Sequence, residues 1–195
     1  MKLLVATKNE GKKKEILELF KGLDYEVLTL NDVDDQDDVE EDGKTFFDNA
    51  LKKAAYYYQK YNYITVSDDS GLMVEVLNGA PGVYSARYSG THGDDLSHNL
   101  KLIQELKHIQ NRKAKFVCVI VVYFGNDDFY HFYGEMKGTI IDSFRGLNGF
   151  GYDPIFEVEG LGKTSAELAP EEKNAISHRA QAIQKLIAFL KENQK

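Results

Sequence analysis

The first sixty residues alternate short apolar runs with segments of helical periodicity. Residues 3–6 form a bounded apolar run, which predicts a buried strand. Asn9 is a good helix N-cap, and apolar residues follow it at helical spacing: Ile16, Leu17 and Phe20. Gly22 ends this helix, and residues 26–30 predict a second strand. The order strand, helix, strand predicts a parallel βαβ unit with a right-handed crossover.

A second helix is predicted to begin at Thr45. Asp48 stands three residues later, as in a capping box, and one apolar face follows: Phe47, Ala50, Leu51, Ala54 and Tyr58. Residues 64–66 predict a third strand. Residues 72–77 form another apolar segment, which an Ala-Pro-Gly turn at 80–82 closes. The next helix is predicted from Leu96, Leu100, Ile103 and Leu106.

The second half of the chain has a β pattern. Residues 116–124 and 129–136 are rich in β-branched and aromatic residues, and an Asn-Asp-Asp turn separates them, which predicts a long antiparallel hairpin. A last helix is predicted to begin near Ser177, with Ala180, Ile183, Ile187 and Leu190 on its apolar face. We therefore expect an α/β fold with a mixed sheet. No repeat, low-complexity segment or linker divides residues 1–195, so we expect a single domain.

Composition and charge narrow the class of protein. Among 195 residues, 24 Lys and Arg stand against 31 Asp and Glu, for a net charge of −7, which argues against a general nucleic-acid binder. The single cysteine, Cys118, excludes a disulfide scaffold and lies in the longest apolar run, residues 116–122. That run is far shorter than the roughly 20 residues of a membrane span. The N-terminus has no secretory signal pattern, so we expect a cytoplasmic protein.

The first candidate site lies between the first strand and the first helix, at Thr7, Lys8, Asn9, Glu10, Gly11 and Lys12. Free backbone N–H groups and the positive end of the helix dipole favour an anion there, and phosphate is the obvious ligand class. The spacing is not that of a P-loop. An ordinary capped helix is an equally good interpretation of this segment alone.

The second candidate is the run Ser67-Asp68-Asp69-Ser70-Gly71, predicted at the C-terminal end of the third strand, where open α/β sheets bind ligands. Alternation along a strand sends adjacent carboxylates to opposite sides. One carboxylate is then a candidate to hold Mg²⁺, and the other to orient a water or brace the loop. An exposed Asx-type turn is the alternative interpretation.

The third candidate is an acidic tract with eight carboxylates between residues 32 and 42. Most of the tract is predicted to be a solvated, mobile loop because like charges repel one another. Its end differs, since Glu41 comes just before the predicted second helix. Glu41 is therefore a candidate metal ligand, whereas the earlier acids are given no such role.

A glycine-rich segment at residues 146–154 is the fourth candidate. Its glycines allow close backbone approach, and Phe150 and Tyr152 suit stacking on a planar base. A glycine-rich turn with buried aromatic rings is the alternative. The fifth candidate is residues 173–179 at the start of the last helix, where Lys173, His178 and Arg179 suit a polyphosphate or a purine carbonyl.

Taken together, the motifs resemble those of the Ham1/RdgB inosine triphosphate pyrophosphatase family, in family order and nearly end to end. They are Thr7-x-Asn9-x-x-Lys12, Glu41-x-Gly43-x-Thr45-Phe46, Ser67-Asp68-Asp69-Ser70-Gly71-Leu72, residues 80–88, Gly149-Phe150-Gly151-Tyr152-Asp153-Pro154 and Ser177-His178-Arg179. Two departures stand out: Ala180 where the family has Gly, and the unusually acidic tract before Glu41. The second leaves open whether Glu40 shares a metal role.

The resemblance implies two lobes around a long central mixed sheet flanked by helices, an active-site cleft between the lobes, and a homodimer. It also implies Mg²⁺-dependent hydrolysis of ITP, dITP and XTP to the monophosphate and pyrophosphate. By position, the resemblance implies that Thr7 to Lys12 bind the phosphates. It implies that Glu41 and Asp69 hold the metal, with Asp68 as a further candidate. Asp69 would also accept the proton. Ser70 would touch the substrate, and the base and ribose would be surrounded by Phe150, Gly151, Tyr152, Asp153, Lys173, His178 and Arg179.

Two other functions remain open from the sequence. One is a Maf-like pyrophosphatase that prefers pyrimidine or modified nucleotides. The other is a nucleotide-binding sensor without catalysis, which the presence of both Glu41 and Asp69 argues against.

Overall fold

A mixed sheet with helices beside it forms the framework of the computed structural model, which describes residues 1–193. The strands are β1 (Lys2–Val5), β2 (Glu26–Thr29), β3 (Ile64–Val74), β4 (Lys113–Gly125), β5 (Asp128–Ile140) and β6 (Phe156–Val158). The α-helices are α1 (Glu10–Leu19), α2 (Phe46–Tyr61), α3 (Asp95–Glu105), α4 (Pro170–Ile176) and α5 (His178–Glu192). The strand order is β2-β1-β3-β4-β5-β6. Because β1 is parallel to β2 and β3 while β6 is antiparallel to β5, the predicted mixed α/β fold is confirmed.

Contacts divide the chain into two compact units, each built from separated segments. The first unit holds residues 1–69, 118–134 and the chain from Arg179 on, and the second holds residues 70–117 and 135–178. Strands β3, β4 and β5 contribute residues to both units. Among residues 1–193, no helix is both long and apolar enough to cross a membrane.

In the first unit, alternation along the strands separates two apolar layers. Leu3 and Val5 of β1 pack with Ile16 of α1 and Ile183 of α5. The intervening Leu4 and Ala6 pack in a different cluster with Tyr57 of α2. The period of two in the sequence therefore places α1 and α5 on one face of this part of the sheet and α2 on the other.

Three helix starts confirm the sequence prediction. Asn9 caps α1 by accepting a hydrogen bond from the Lys12 N–H, and Thr45 and Asp48 form a capping box at α2. The last helix, α5, begins directly after Ser177. By contrast, α4 and β6 were not predicted, since elements of 7 and 3 residues are too short to show a periodic pattern.

Two predictions about local structure are wrong. The third strand does not end at Val66 but runs unbroken to Val74, so residues 67–71 lie in the middle of β3. The apolar face predicted for α3 is wrong for its first half and confirmed for its second half, where Ile103 and Leu106 pack in the core. Leu96 and Leu100 are 61% and 52% exposed, whereas Leu102 and Leu106 are buried in the core of the second unit.

Gly138 of β5 allows β6 to pack closely in the second unit. A Cβ atom at this position would meet the Glu157 carbonyl oxygen and lie 2.6 Å from Cζ of Phe156. Gly138→Ala is therefore expected to lower the free energy of unfolding by about 1–3 kcal/mol through overpacking. Urea denaturation checks this, with the exposed neighbour Lys137→Ala as control; equal midpoints for the two variants would contradict it.

Candidate active site

The two adjacent aspartates of β3 point to opposite faces of the sheet, as alternation predicts. Val66 packs in the cluster of α1 and α5, and Asp68, two residues on, meets side chains of the same two helices. The neighbours Ser67 and Asp69 face α2. The Ser67 hydroxyl donates to the Ala50 carbonyl at 2.5 Å, and Asp69 accepts from Asn49. The central position of β3 between β1 and β4 gives each carboxylate a helix-covered face.

Asp68 is fully buried and ion-paired. Its Oδ2 lies 3.2 Å from Nζ of Lys12 and 3.5 Å from Nε of Arg179. Arg179 also pairs with Glu15 of α1. Burial by itself would raise the pKa of Asp68, but the charges of Lys12 and Arg179 outweigh it and hold that pKa well below its usual range. Asp68 is therefore an ionised carboxylate inside a group of two cations and two anions.

Asp69 has the opposite electrostatic setting. Its Oδ2 accepts a hydrogen bond from Nδ2 of Asn49 at 2.8 Å. Burial raises the pKa of Asp69 above its ordinary value, and the ammonium groups of Lys12 and Lys53 offset this only in part. A carboxylate with a raised pKa is a stronger base, so the fold makes Asp69 the better proton acceptor of the two.

Glu41 and Lys53 complete this carboxylate group. Lys53 of α2 donates to Oε1 of Glu41 at 2.5 Å and to the Asp68 carbonyl at 2.7 Å. Burial would raise the pKa of Glu41, but the Lys53 charge and hydrogen bond lower it below the ordinary value. Glu41 also acts electrostatically on both Asp68 and Asp69. The preceding Glu40 is exposed.

The donor chemistry of this group fits a small divalent cation. Carboxylate oxygens suit Mg²⁺, which usually takes only one or two protein carboxylates and completes its shell with water and substrate phosphates. Within the described chain, no three His, Cys, Asp or Glu side chains form a metal-binding cluster. Glu41 and Asp69 are two carboxylates of this kind. Glu41 has one described cationic partner, Lys53, whereas Asp68 has two, Lys12 and Arg179.

The loop before α1 is arranged as a capped helix start. Thr7 is buried and its hydroxyl accepts from the Asn9 N–H at 3.3 Å, while Lys8 donates to the Gln36 carbonyl at 2.8 Å. Glu10 and Gly11 form the first turn of α1, where Glu10 pairs with Lys13 at 2.6 Å. Among the described contacts, Lys12 is the only residue of this loop that pairs with Asp68. The ion pair of Lys12 with Asp68 therefore connects the loop to the carboxylate group.

Two carboxylates of the acidic tract, Asp35 and Asp37, pair with donors from α2. Asp35 is buried and accepts hydrogen bonds from Lys60 at 2.6 Å and from the Tyr61 hydroxyl at 2.5 Å. Asp37 accepts from Lys60 and from the Tyr56 hydroxyl. The prediction of a largely solvated loop is confirmed for six exposed carboxylates of the tract and is wrong for Asp35, whose charge is compensated by donors from the last turn of α2.

In the second unit, Asp153 organises the glycine-rich loop. It is buried, and its Oδ2 accepts from the Phe150 N–H at 2.9 Å and from Nζ of Lys173 at 2.7 Å. The same ammonium lies 5.1 Å from the centroid of the half-buried Phe150 ring. A Cβ atom on Gly149 would collide with the Asp153 carboxylate. Phe150 and Lys173 are thus held together by one buried carboxylate.

Helix α3 holds the next residue of the loop, Gly151, by both of its backbone groups. Asp95 accepts from the Gly151 N–H at 2.7 Å, and the buried Asn99 donates to its carbonyl at 2.9 Å. A pocket of about 290 Å³ lies beside this clamp, lined by Asp95, Leu96, Asn99, Phe144, Pro154 and residues 146–151.

Three residues that were predicted to contact the base, Tyr152, His178 and Arg179, also have partners within the fold. The Tyr152 ring is buried in the core of the second unit, and its hydroxyl donates to the Ser85 carbonyl at 2.8 Å. Arg179 belongs to the first unit with Asp68 and Glu15. His178 is buried and stacks on Phe116 with ring centroids 4.9 Å apart. Ser70 is half-buried in β3.

Sequence reasoning missed several polar residues of the site: Glu15, Asn49, Lys53, Asp95 and Asn99. A signal existed in α2, where Asn49 and Lys53 are four residues apart beside the small, buried Ala50 and Ala54. Polar residues on such a face need partners.

The Ham1 family model matches residues 3–189. The chain belongs to the Ham1 family. This confirms the resemblance that the motifs indicated, and Ala180, the departure from the family pattern, is a fully buried residue of α5.

Relatives of this Ham1-family chain are similar over nearly their whole length. The dITP/XTP pyrophosphatase of Geobacter sulfurreducens is 48% identical over 184 residues, which are 93% of this chain and 92% of that protein. The dITP/XTP pyrophosphatase of Clostridium perfringens is 46% identical over 198 residues, 97% of each. The solved structure of the Staphylococcus aureus Ham1 protein superposes with a TM-score of 0.90 at 41% identity and covers 100% of both chains.

Proposed function

We propose that this protein hydrolyses non-canonical purine nucleoside triphosphates, namely ITP, dITP and XTP, to the nucleoside monophosphate and pyrophosphate. The observation that carries the proposal is the buried Asp69, which accepts a hydrogen bond from Asn49 and experiences the charges of Glu41, Lys12 and Lys53. The similar proteins from Geobacter and Clostridium are dITP/XTP pyrophosphatases, which supports the same reaction. The proposed role of this protein is to remove these nucleotides from the nucleotide pool. We further propose that its 195 residues act as a single domain.

In this reaction Asp69 accepts the proton of the attacking water. The water oxygen bonds to the α-phosphorus, the bond from that phosphorus to the bridging oxygen of the β-phosphate breaks, and pyrophosphate leaves. Lys12 and Lys53 stabilise the charge that develops on the phosphate oxygens. The helix start at residues 7–12 is proposed to bind the phosphates through its backbone N–H groups.

Glu41 and Asp69 are proposed to hold Mg²⁺. When bound, this ion neutralises phosphate charge and acidifies water. Asp68, which the resemblance made a further candidate ligand, is instead proposed to hold Lys12 and Arg179 in place, because its charge is already matched by theirs.

Base recognition is proposed for the second unit, with Phe150 as the stacking ring and Lys173 and His178 as donors. Asp153 and Gly151 act by holding Phe150, as their hydrogen bonds indicate. Ser70 is proposed to contact the substrate. A 6-keto purine offers an acceptor to these donors, whereas the 6-amino group of ATP does not.

Product analysis tests the proposed function. ITP, XTP, GTP, ATP and a pyrimidine triphosphate are each incubated with and without Mg²⁺, and pyrophosphate and orthophosphate are assayed separately. Pyrophosphate from ITP and XTP, only with metal, is the expected result. A pyrimidine preference would favour the Maf-like alternative. Tight ITP binding without turnover would establish the sensor, and release of orthophosphate would exclude a pyrophosphatase.

The clamp on Gly151 yields a separate prediction. Asn99→Ala removes one hydrogen bond to the loop that carries Phe150, a loss of about 1 kcal/mol, so KM for ITP is expected to rise roughly fivefold while kcat changes little. Steady-state kinetics measures both constants. Gln104→Ala, an exposed change in the same helix, is the control, and an unchanged KM in Asn99→Ala would contradict the proposed role of the loop.

We extend the proposal to a homodimer in the cytoplasm, where the nucleotide pool is found. Exposed apolar side chains in the second unit support a second copy: Leu96, Leu100, Phe144 and Leu147. Three of them line the pocket beside α3. Sedimentation equilibrium is expected to give twice the 22.1 kDa chain mass, and the mass of one chain would contradict the dimer.

A further inference from the structure

Asn49 is the most completely buried polar side chain of α2 among the described residues, at 1% exposure, and both ends of its amide are used. Nδ2 donates to Oδ2 of Asp69, and Oδ1 accepts from the Gly43 N–H, each at 2.8 Å. One side chain therefore connects the strand that carries Asp69 to the segment that carries Glu41.

The contact with Gly43 is close and depends on glycine. A Cβ atom there would lie 2.6 Å from Oδ1 of Asn49 and 2.7 Å from Cβ of Asp48. The chain can approach α2 this closely only without a side chain at this position. Glu41 precedes Gly43 by two residues, so the amide fixes the backbone from which the Glu41 side chain projects.

Few side chains can replace this amide. An ionised Asp offers only acceptors, and Ala offers neither donor nor acceptor. One turn later, Lys53 donates to Glu41 and to the Asp68 carbonyl. Residues four apart lie on the same side of a helix, so α2 presents two polar groups to both carboxylate-bearing segments.

We propose that Asn49 is a positioning residue for the proposed reaction, which fixes the orientation of the Asp69 carboxylate and the approach of the Glu41 segment so that both serve the same cation. The inference rests on the proposed function for its catalytic part. It acts through Asp69 and Gly43, in the way that residues around a metal site orient the ligands themselves.

The test compares Asn49→Ala, Asn49→Ser and Asn49→Asp with wild type and with Gln59→Ala, which removes an exposed amide from the same helix. Three quantities are measured: kcat and KM for ITP, the affinity for Mn²⁺ alone by electron paramagnetic resonance, and the thermal midpoint. Asn49→Ala is expected to lower kcat by about 10–100-fold and to weaken Mn²⁺ binding by a similar factor, with KM little changed. Asn49→Asp keeps the acceptor for the Gly43 N–H but replaces the donor to Asp69 by a negative charge. Its kcat is therefore expected to fall, while its Mn²⁺ affinity is expected to fall less than that of Asn49→Ala.

The outcomes separate this inference from the proposed function. If wild type releases pyrophosphate from ITP but Asn49→Ala keeps kcat and Mn²⁺ affinity within about threefold, the positioning role is overturned and the proposed function stands. A lower thermal midpoint without either change also overturns it. If wild type does not cleave ITP, the proposed function fails, and the Mn²⁺ measurement still decides whether Asn49 orients the carboxylates. Should Asn49→Ala not fold, the Ser and Asp variants carry the same test.

Discussion

Replacing Asp69 by Asn is expected to lower kcat for ITP by about 10³-fold, with nucleotide binding retained. The loss is that of a general base, whose contribution is typically about 10²–10⁴-fold. The change keeps the shape of the side chain, and the new amide oxygen still accepts from Nδ2 of Asn49. Steady-state kinetics and calorimetric titration of ITP with Ca²⁺ in place of Mg²⁺ measure the two effects separately.

The same variant is expected to be at least as stable as wild type. Because burial raises the pKa of Asp69 in the folded state, its ionised form opposes folding at pH 7. This cost is fully present above the folded-state pKa and disappears as the pH falls below the ordinary carboxyl value of about 3.9. Asp69→Asn should therefore unfold at the same or a higher urea concentration at pH 7.

The exposed Asp38→Asn, in the acidic tract, is the matched control and should leave both turnover and stability unchanged. Turnover by Asp69→Asn at the wild-type rate would remove Asp69 from the mechanism. A large loss of stability would show instead that the carboxylate is needed for folding.

The contrast between Asp68 and Asp69 explains how far the sequence could predict this site. Alternation along a strand is a local property, so the opposite directions of the two carboxylates followed from their adjacency. The length of β3 could not be predicted in this way, because residues 67–71 taken alone are typical of a turn. The strand continues through these residues because side chains from three helices pair with the two buried carboxylates: Lys12 of α1, Asn49 of α2 and Arg179 of α5.

Long-range pairs were the part that could not be predicted. Glu15 and Arg179 are 164 residues apart in the chain, and nothing near either residue indicates the other. His178 and Arg179 are adjacent in the sequence but belong to different units, and no local pattern indicates that division. The motif order identified the family, whereas the division of roles within each motif depends on tertiary contacts.

Asp68→Asn is expected to have the largest effect on stability. It removes the anion that Lys12 and Arg179 share, and leaves buried positive charge with Glu15 as the remaining described carboxylate partner of Arg179. Breaking a buried ion pair by removing one partner typically costs about 3–5 kcal/mol, and a loss of this order is expected from urea denaturation at pH 7. Turnover should fall too, since Lys12 loses its anchor.

The pH dependence of this loss distinguishes an ion pair from a packing defect. The pKa of Asp68 is lowered in the folded state, so its stabilising contribution is fully present above the unfolded-state value of about 3.9. The contribution is lost as the pH falls through the lower folded-state pKa. The gap between wild type and Asp68→Asn should therefore be constant from pH 5 to 7 and shrink at about pH 3.

The control is Asp42→Asn, which breaks the exposed pair of Asp42 with Lys52 at 2.7 Å and should leave the unfolding midpoint unchanged. If Asp68→Asn also left the unfolding midpoint unchanged, the pairing of Asp68 with Lys12 and Arg179 would not contribute to stability. If its deficit persisted undiminished at pH 3, lost packing rather than lost charge would be the cause. Asp69→Asn, one residue away, is expected to keep or raise stability. The two variants together therefore test whether burial and charge, rather than position alone, divide the roles of this pair.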